Sequence, residues 1–155
     1  MCFTLRKAQL TDINSILAIE NDCFSSDLIL PRQMRYLICQ AKAVVLVVES
    51  ERKVVGYAIL LLPQKPRRAR LYSIAVTPSM RRKRVGFCLV EKVLDISERE
   101  GYHAIGLEVR CSDLGAQALY QRFGFRWTHL MDCYYSDGDD GWKMVCQLPR
   151  PEWAG

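Results

Sequence analysis

Four consecutive cations, Arg81, Arg82, Lys83 and Arg84, separate two patterned stretches. Before them, Leu71, Tyr72, Ile74 and Val76 form an apolar, β-branched run that stops at Thr77-Pro78. After them come Val85 and Gly86, then Phe87, Leu89, Val90, Val93 and Leu94 at helical spacing. The pattern predicts a strand, a tight basic loop and a helix. A loop that opens a helix turns unpaired N–H groups and the positive end of the helix dipole outward. Such an end binds phosphate, and neighbouring cations raise its affinity for a polyanion. The chemistry on offer is the grip of a pyrophosphate. The loop lacks the G-K-[ST] of a P-loop and the three glycines of a dinucleotide fingerprint, so the motif is weak by itself.

Glu108 stands in the middle of AIGLEVR, between Leu107 and Val109. A carboxylate at a sheet centre is costly unless it is paired or functional. Next to a cleft it suits a general base. The alternative is an ion pair, for example with Arg110 two positions along the same strand face. Tyr120 lies on the following helical pattern, where its ring packs against the sheet with the hydroxyl at the edge. Phe24 either anchors the core or lines a substrate pocket. His103 and His129 are far apart, and the seven cysteines contain no C-x-x-C pair, so no metal site is expected.

These residues need a scaffold. Phe3, Leu5 and Lys7 alternate as a first strand. Thr11 is expected to cap a helix carrying Ile13, Ile16, Leu17 and Glu20. Pro31 suits the first turn of a second helix over 32–40, with Met34, Leu37 and Ile38 inward. Residues 43–49 and 54–62 read as strands joined by a polar turn, with Gly56 at a bulge or a close backbone approach. Residues 70–76 form the fourth strand. The helix after the basic loop runs to about Glu100, and Gly101 ends it. Residues 104–110 form a fifth strand, and Ser112 or Asp113 caps the helix that carries Tyr120. Residues 127–131 and 143–148 are the last strands, joined by the turn-rich YYSDGDDGW. The order β-α-α-β-β-β-α-β-α-β-β predicts an α/β fold, a mixed sheet of about seven strands with helices on both faces. A right-handed crossover makes the fourth and fifth strands parallel. The basic loop then lies at the carboxyl end of the fourth strand, where open α/β sheets place ligands.

Length and composition set the outer bounds. The chain has 155 residues, half of them hydrophobic and a quarter charged. One globular domain over 1–150 with a loose tail at 151–155 is expected. No apolar run approaches the ~20 residues of a membrane span, and the N-terminus lacks the design of a signal peptide. Free thiols and a cytoplasmic location follow as expectations. The net charge of +5 is local, in Arg67, Arg68 and Arg70 and in Arg81–Arg84. It marks a solvated basic face or weak attraction to nucleic acid. No aromatic-interleaved platform or helix-turn-helix pattern favours nucleic acid as the main ligand.

LYSIAVTPSMRRKRVG (71–86) followed by LEVRCSDLGAQALYQRFGF (107–125) resembles the acetyl-coenzyme A (acetyl-CoA) signature of the Gcn5-related N-acetyltransferase (GNAT) superfamily. The second block, with YYSDGDDGWKM (134–144), is similar to the bacterial ribosomal-protein alanine N-acetyltransferases and their archaeal and eukaryotic N-terminal relatives. The resemblance spans about residues 3 to 148. The family loop is Arg/Gln-x-x-Gly-x-Gly/Ala. Arg81 and Gly86 occupy its first and last fixed positions, and Arg84 stands at the first glycine. With that side chain toward solvent, the loop N–H groups stay available. The family asparagine after LEVR-x-S is Asp113, which can still cap a helix but cannot donate an amide hydrogen bond to the cofactor.

The resemblance implies acetyl-CoA as cosubstrate and no metal. Ile74, Ala75 and Val76 would meet its pantetheine arm like an added strand. Arg81, Arg82, Lys83, Arg84, Val85 and Gly86 would hold its diphosphate, with Asp113 nearby. The Val76 N–H would polarise the thioester carbonyl, Glu108 would accept the amine proton, and Tyr120 would protonate the departing thiolate. Tyr134 and Tyr135 resemble the paired tyrosines of a peptide groove, with Phe24 on the substrate side. Asp137, Asp139 and Asp140 would attract a cationic amine; the alternative is a polar turn with two half-buried rings. The implied reaction is acetyl transfer to a primary amine, foremost a protein N-terminal α-amino group, ahead of a lysine side chain or a small-molecule amine. The enzyme would be a monomer or homodimer. Arg84 and Asp113 motivate a second class, a CoA-binding regulatory module without catalysis. A third is nucleic-acid binding through the two basic clusters.

Overall fold

The computed structural model describes residues 2–40 and 42–153. Seven strands form one sheet: β1 (Thr4–Lys7), β2 (Ala43–Ser50), β3 (Lys53–Leu61), β4 (Ala69–Val76), β5 (Ala104–Arg110), β6 (Arg126–Met131) and β7 (Gly141–Gln147). Their spatial order is β1-β2-β3-β4-β5-β7-β6. The helices are α1 (Ile13–Cys23), α2 (Pro31–Cys39), α3 (Val85–Arg99) and α4 (Leu114–Arg122). No helix among the described residues is long and apolar enough to cross a membrane. Of the expected tail, residues 154 and 155 lie outside the described residues. Trp153 is exposed, whereas Arg150 just before the tail is bound to Asp95 and Glu98 of α3.

Two cores sit on opposite faces of the sheet. On one, Phe87, Leu89, Val90, Val93 and Leu94 of α3 meet Ile105, Leu107 and Val109 of β5, joined by Tyr120 and Phe123 beside α4. On the other, Ile13, Ile16 and Ile19 of α1 and Met34 of α2 meet Val45, Val47, Tyr57, Ile59 and Ala75. The 3.6-residue period of each helix matches one apolar stripe to one sheet face, and each fully buried side chain contributes roughly 1.5–3 kcal/mol. Thr11 does not cap α1. Residues Leu10–Asp12 form a 3-10 turn, and the Asp12 carboxylate accepts from the Gln9 N–H (2.7 Å) and from the Arg6 guanidinium (2.8 Å). An arginine within reach fixes the acid here, so α1 begins at Ile13, one residue later than a Thr11 cap would start it.

Strands β4 and β5 are parallel, but only Ala69–Leu71 pairs with Ile105–Leu107. Beyond that the two strands part. The ladder between β3 and β4 slips at this point, pairing Ile59 with Ser73 and Leu60 with Leu71, which leaves Tyr72 as an extra residue. Such a bulge bends its strand. β4 therefore follows β3, while β5 stays paired with β7 as far as Arg110 and Gly141. Gly56 is a close approach: a Cβ there would lie 3.2 Å from Val85 Cγ1 and 3.3 Å from the Ala75 carbonyl oxygen. The missing side chain lets the start of α3 sit directly on β3.

Candidate active site

The gap between β4 and β5 opens into a cavity of about 480 Å³. Phe24, Ile74, Glu108, Asp113, Tyr120, Tyr134 and Tyr135 all line it. Residues 81–86 do not; they lie past the carboxyl end of β4. One strand thus links two sites, a lined cavity and a basic loop.

The backbone of β4 carries unpaired groups between them. Thr77 donates its N–H to Val55 O at 2.8 Å, which sets the phase of the β3–β4 ladder. In an antiparallel ladder alternate residues turn their amides to opposite sides. Ala75 and Ser73 therefore serve β3, while Ile74 and Val76 face the side that β5 has left. The Ala75 side chain is buried against α1 and α2. Val76 O accepts from Arg81 Nε (3.3 Å), and Arg81 also reaches Cys23 Sγ (3.3 Å), so this first loop cation ties β4 to α1.

At the loop, Arg84 adopts φ +65°, the left-handed conformation that glycine favours. Its guanidinium lies over the Phe87 ring at 4.1 Å. The stacking draws the side chain along α3. The N–H groups of Val85, Gly86 and Phe87 donate to no acceptor among the described residues, and the first bond of the helix runs from Cys88 N to Arg84 O. Arg82 and Lys83 are exposed. The free amides, two free cations and the unpaired edge of β4 fit a diphosphate ester with an extended arm.

Glu108 does not point into the apolar core. It shares a sheet face with Gly106 and Arg110, and its side chain is 11% exposed. Arg70 holds Oε1 through Nε (3.0 Å) and Nη2 (2.8 Å), and Lys143 Nζ stands 3.6 Å from Oε2. The expected pairing with Arg110 does not form. Arg110 sits at the strand end and instead binds Asp137, Asp139 and the Ser26 hydroxyl, with its guanidinium 4.1 Å over the Tyr135 ring. Asp137 and Asp139 are thereby engaged, and Asp140 accepts from the Cys133 N–H. These carboxylates shape the β6–β7 loop, which is tied to the α1–α2 loop where Ser136 donates its N–H to Asp27.

Tyr120 is 6% exposed, its ring 5.7 Å from that of Phe125. Its hydroxyl has no hydrogen-bond partner among the described residues and borders the cavity. Burial, reinforced by Asp113 and Tyr135, raises its pKa, so the O–H keeps its proton at neutral pH. Asp113 caps α4 by accepting the Ala116 N–H at 3.0 Å. Tyr134 and Tyr135 meet edge to face at 5.0 Å. Burial and then Tyr134 push the Tyr135 phenol up to about 12.

One lining residue escaped sequence reasoning. Glu20 of α1 is 2% exposed. It accepts from the Ile29 N–H and from the Tyr57 hydroxyl (3.0 Å), which also contacts Ser73 Oγ at 2.9 Å. No cation pairs with it among the described residues, and burial raises its pKa. A signal existed. Glu20 follows Ile13 and Ile16 on the apolar stripe of the helix, where a carboxylate needs a reason. Arg70 and Lys143 carried no such signal, because only tertiary contact brings them to Glu108.

Known proteins resemble this chain in sequence and in fold. Residues 13–125 match the acetyltransferase (GNAT) family. An N-alpha-acetyltransferase of Saccharolobus solfataricus is 32% identical over 94% of this chain and 93% of its own. The [ribosomal protein bS18]-alanine N-acetyltransferase of Escherichia coli is 38% identical over 52% of this chain and 55% of its own. A crystal structure of the ribosomal-protein-S18-alanine N-acetyltransferase from E. coli superposes with TM-score 0.84 at 25% identity, covering 97% of this chain and 96% of that one. The family match over residues 13–125 and these relatives show that the chain belongs to the GNAT family and is an acetyl-CoA-dependent acetyltransferase.

Proposed function

We propose that the enzyme acetylates the α-amino group of a protein N-terminus. The observation that carries this reading is the placement of Glu108 and Tyr120 on one cavity, roofed by Phe24, Tyr134 and Tyr135 and opening where β4 and β5 part. The names of the S. solfataricus and E. coli relatives support the acceptor. The seven thiols, none in a disulfide, suit a reducing compartment, and we place the reaction in the cytoplasm.

Acetyl-CoA supplies the acyl group as an activated thioester. The amides of Val85, Gly86 and Phe87 with Arg82 and Lys83 hold its diphosphate. Ile74 and Val76 offer backbone groups to the arm, and the Val76 N–H polarises the acyl carbonyl. Glu108 takes a proton from the incoming ammonium, directly or through one water. The freed amine forms the new N–C bond as the C–S bond breaks. Tyr120 gives its O–H proton to the departing sulfur, and the proton that the new amide nitrogen sheds restores the phenol. Arg70 and Lys143 hold the Glu108 carboxylate in place.

Mass spectrometry of a peptide library incubated with enzyme and acetyl-CoA tests the acceptor. Modification of α-amines is expected; exclusive modification of lysine side chains would overturn the reading. Glu108→Gln and Tyr120→Phe are each expected to lower kcat by about 10²-fold or more. Acetyl-CoA affinity, measured by calorimetry, should change little. Unaltered turnover in both variants would remove these two roles.

A further inference from the structure

Beside the proposed acceptor site lies a second groove that the transfer chemistry does not use. Helices α1 and α2 cover the sheet only over β2, β3 and β4. On the same face, β5, β7 and β6 are left uncovered. There a groove of about 510 Å³ is lined by Arg68, Arg126, Thr128, His129, Val145 and Gln147, among others. No acidic residue lines it. Arg68 and Arg126 are exposed, and neither forms an ion pair with a described residue.

Two cation side chains separate the groove from the Glu108 carboxylate. Lys143, which faces Glu108, and Arg68, which lines the groove, both lie over Gly106: a Cβ there would meet Arg68 Cδ at 3.7 Å and Lys143 Cε at 3.8 Å. The absent side chain lets both stems pack directly on the strand, so cations of the two sites adjoin. The sheet register gives the distance between the sites. Gly106 pairs with Val145 and Val145 with Arg126; Glu108 pairs with Lys143 and Lys143 with His129. Two residues along the strands and two strands across span roughly 12 Å, about four residues of extended chain.

We propose that this uncovered basic groove receives the acceptor chain beyond its N-terminal residues, and that it selects acceptors with acidic side chains from about the fourth residue onward. The inference rests on the proposed N-terminal acceptor. Two unpaired guanidiniums and an imidazole with no acid among them complement carboxylates. Stacking of bases has no platform there. Trp127 faces the other way and donates its Nε1–H to Gln117 on α4, so the groove lacks the aromatic faces that single-stranded nucleic acid uses.

The test compares three peptide series that share their first three residues and carry Glu, Gln or Lys at positions four to seven. The expected kcat/KM is at least 10-fold higher for the Glu series than for the Gln series, through KM, with the advantage shrinking as salt rises. Arg68→Glu and Arg126→Glu, both at exposed positions, are expected to abolish this preference and to improve KM for the Lys series. A gain of that kind cannot come from a folding defect. Equal kcat/KM across the series, or a preference that both substitutions leave intact, would overturn the groove assignment while leaving N-terminal acetylation standing. Transfer to no peptide of any series would overturn the acceptor reading and this proposal together. A short RNA that inhibits the parent enzyme more strongly than the free Glu peptide, and neither variant, would assign the groove to nucleic acid and overturn it as well.

Discussion

Glu20 and Glu108 are two carboxylates on one cavity with opposite surroundings. Glu108 has Arg70 and Lys143 beside it; Glu20 has one backbone N–H and a phenol. Burial raises the Glu20 pKa above its ordinary value. The folded state therefore binds this proton more tightly than the unfolded chain does. Its contribution to stability is present in acid and is lost as pH rises from about 4.3, the unfolded value, through the folded one. Glu20→Gln stays neutral throughout. Urea unfolding of both proteins at pH 4 and pH 7 should show the stability difference shifting in favour of the variant at the higher pH. A difference that does not move with pH would mean the folded carboxyl ionises in its ordinary range. The sequence placed a glutamate on an apolar stripe but not the phenol that answers it, since Tyr57 is 37 residues away.

At the scale of elements, most of the scaffold was legible. β5 was predicted over its observed span, and α3 ends at Gly101 with φ +81° as its glycine suggested. Asp113 caps α4 although it replaces an asparagine. Asp113→Ala is expected to cost about 1 kcal/mol, or roughly 2–4 °C in Tm. Asp113→Asn should keep the parent stability, because an amide oxygen accepts the Ala116 N–H equally well. Chemical denaturation of the two variants decides it, and equal losses in both would show that the cap itself is not what matters. The Tyr72 bulge was not legible. It has no proline or glycine to mark it, and it arises from the match between β3 and β4.

At the scale of the whole molecule, the parting of β4 and β5 leaves an exposed ladder at the centre of the sheet, where burial would otherwise pair it. A ligand that bridges from the α3 N-terminus to this edge should stabilise the whole fold. Acetyl-CoA at 100 times its Kd is expected to add about 2.7 kcal/mol, or roughly 5–10 °C in Tm. Hydrogen exchange should slow at residues 72–76 and 85–87. Protection confined to other strands would place the ligand elsewhere. The two basic clusters separate at this scale too. Arg81–Arg84 stay at the start of α3, while Arg68 lies at the opposite end of β4 over the uncovered sheet face.

The order of strands and helices, the basic helix start and the presence of Glu108 and Tyr120 were written in the sequence. Each depends on local periodicity or on residue type, and both are properties of neighbours along the chain. Which cations accompany Glu108, where Arg110 turns, how β4 leaves β5 and which sheet face stays bare were decided only by the tertiary structure. These outcomes depend on strand register and on contacts across dozens of residues, and no local pattern encodes such distances.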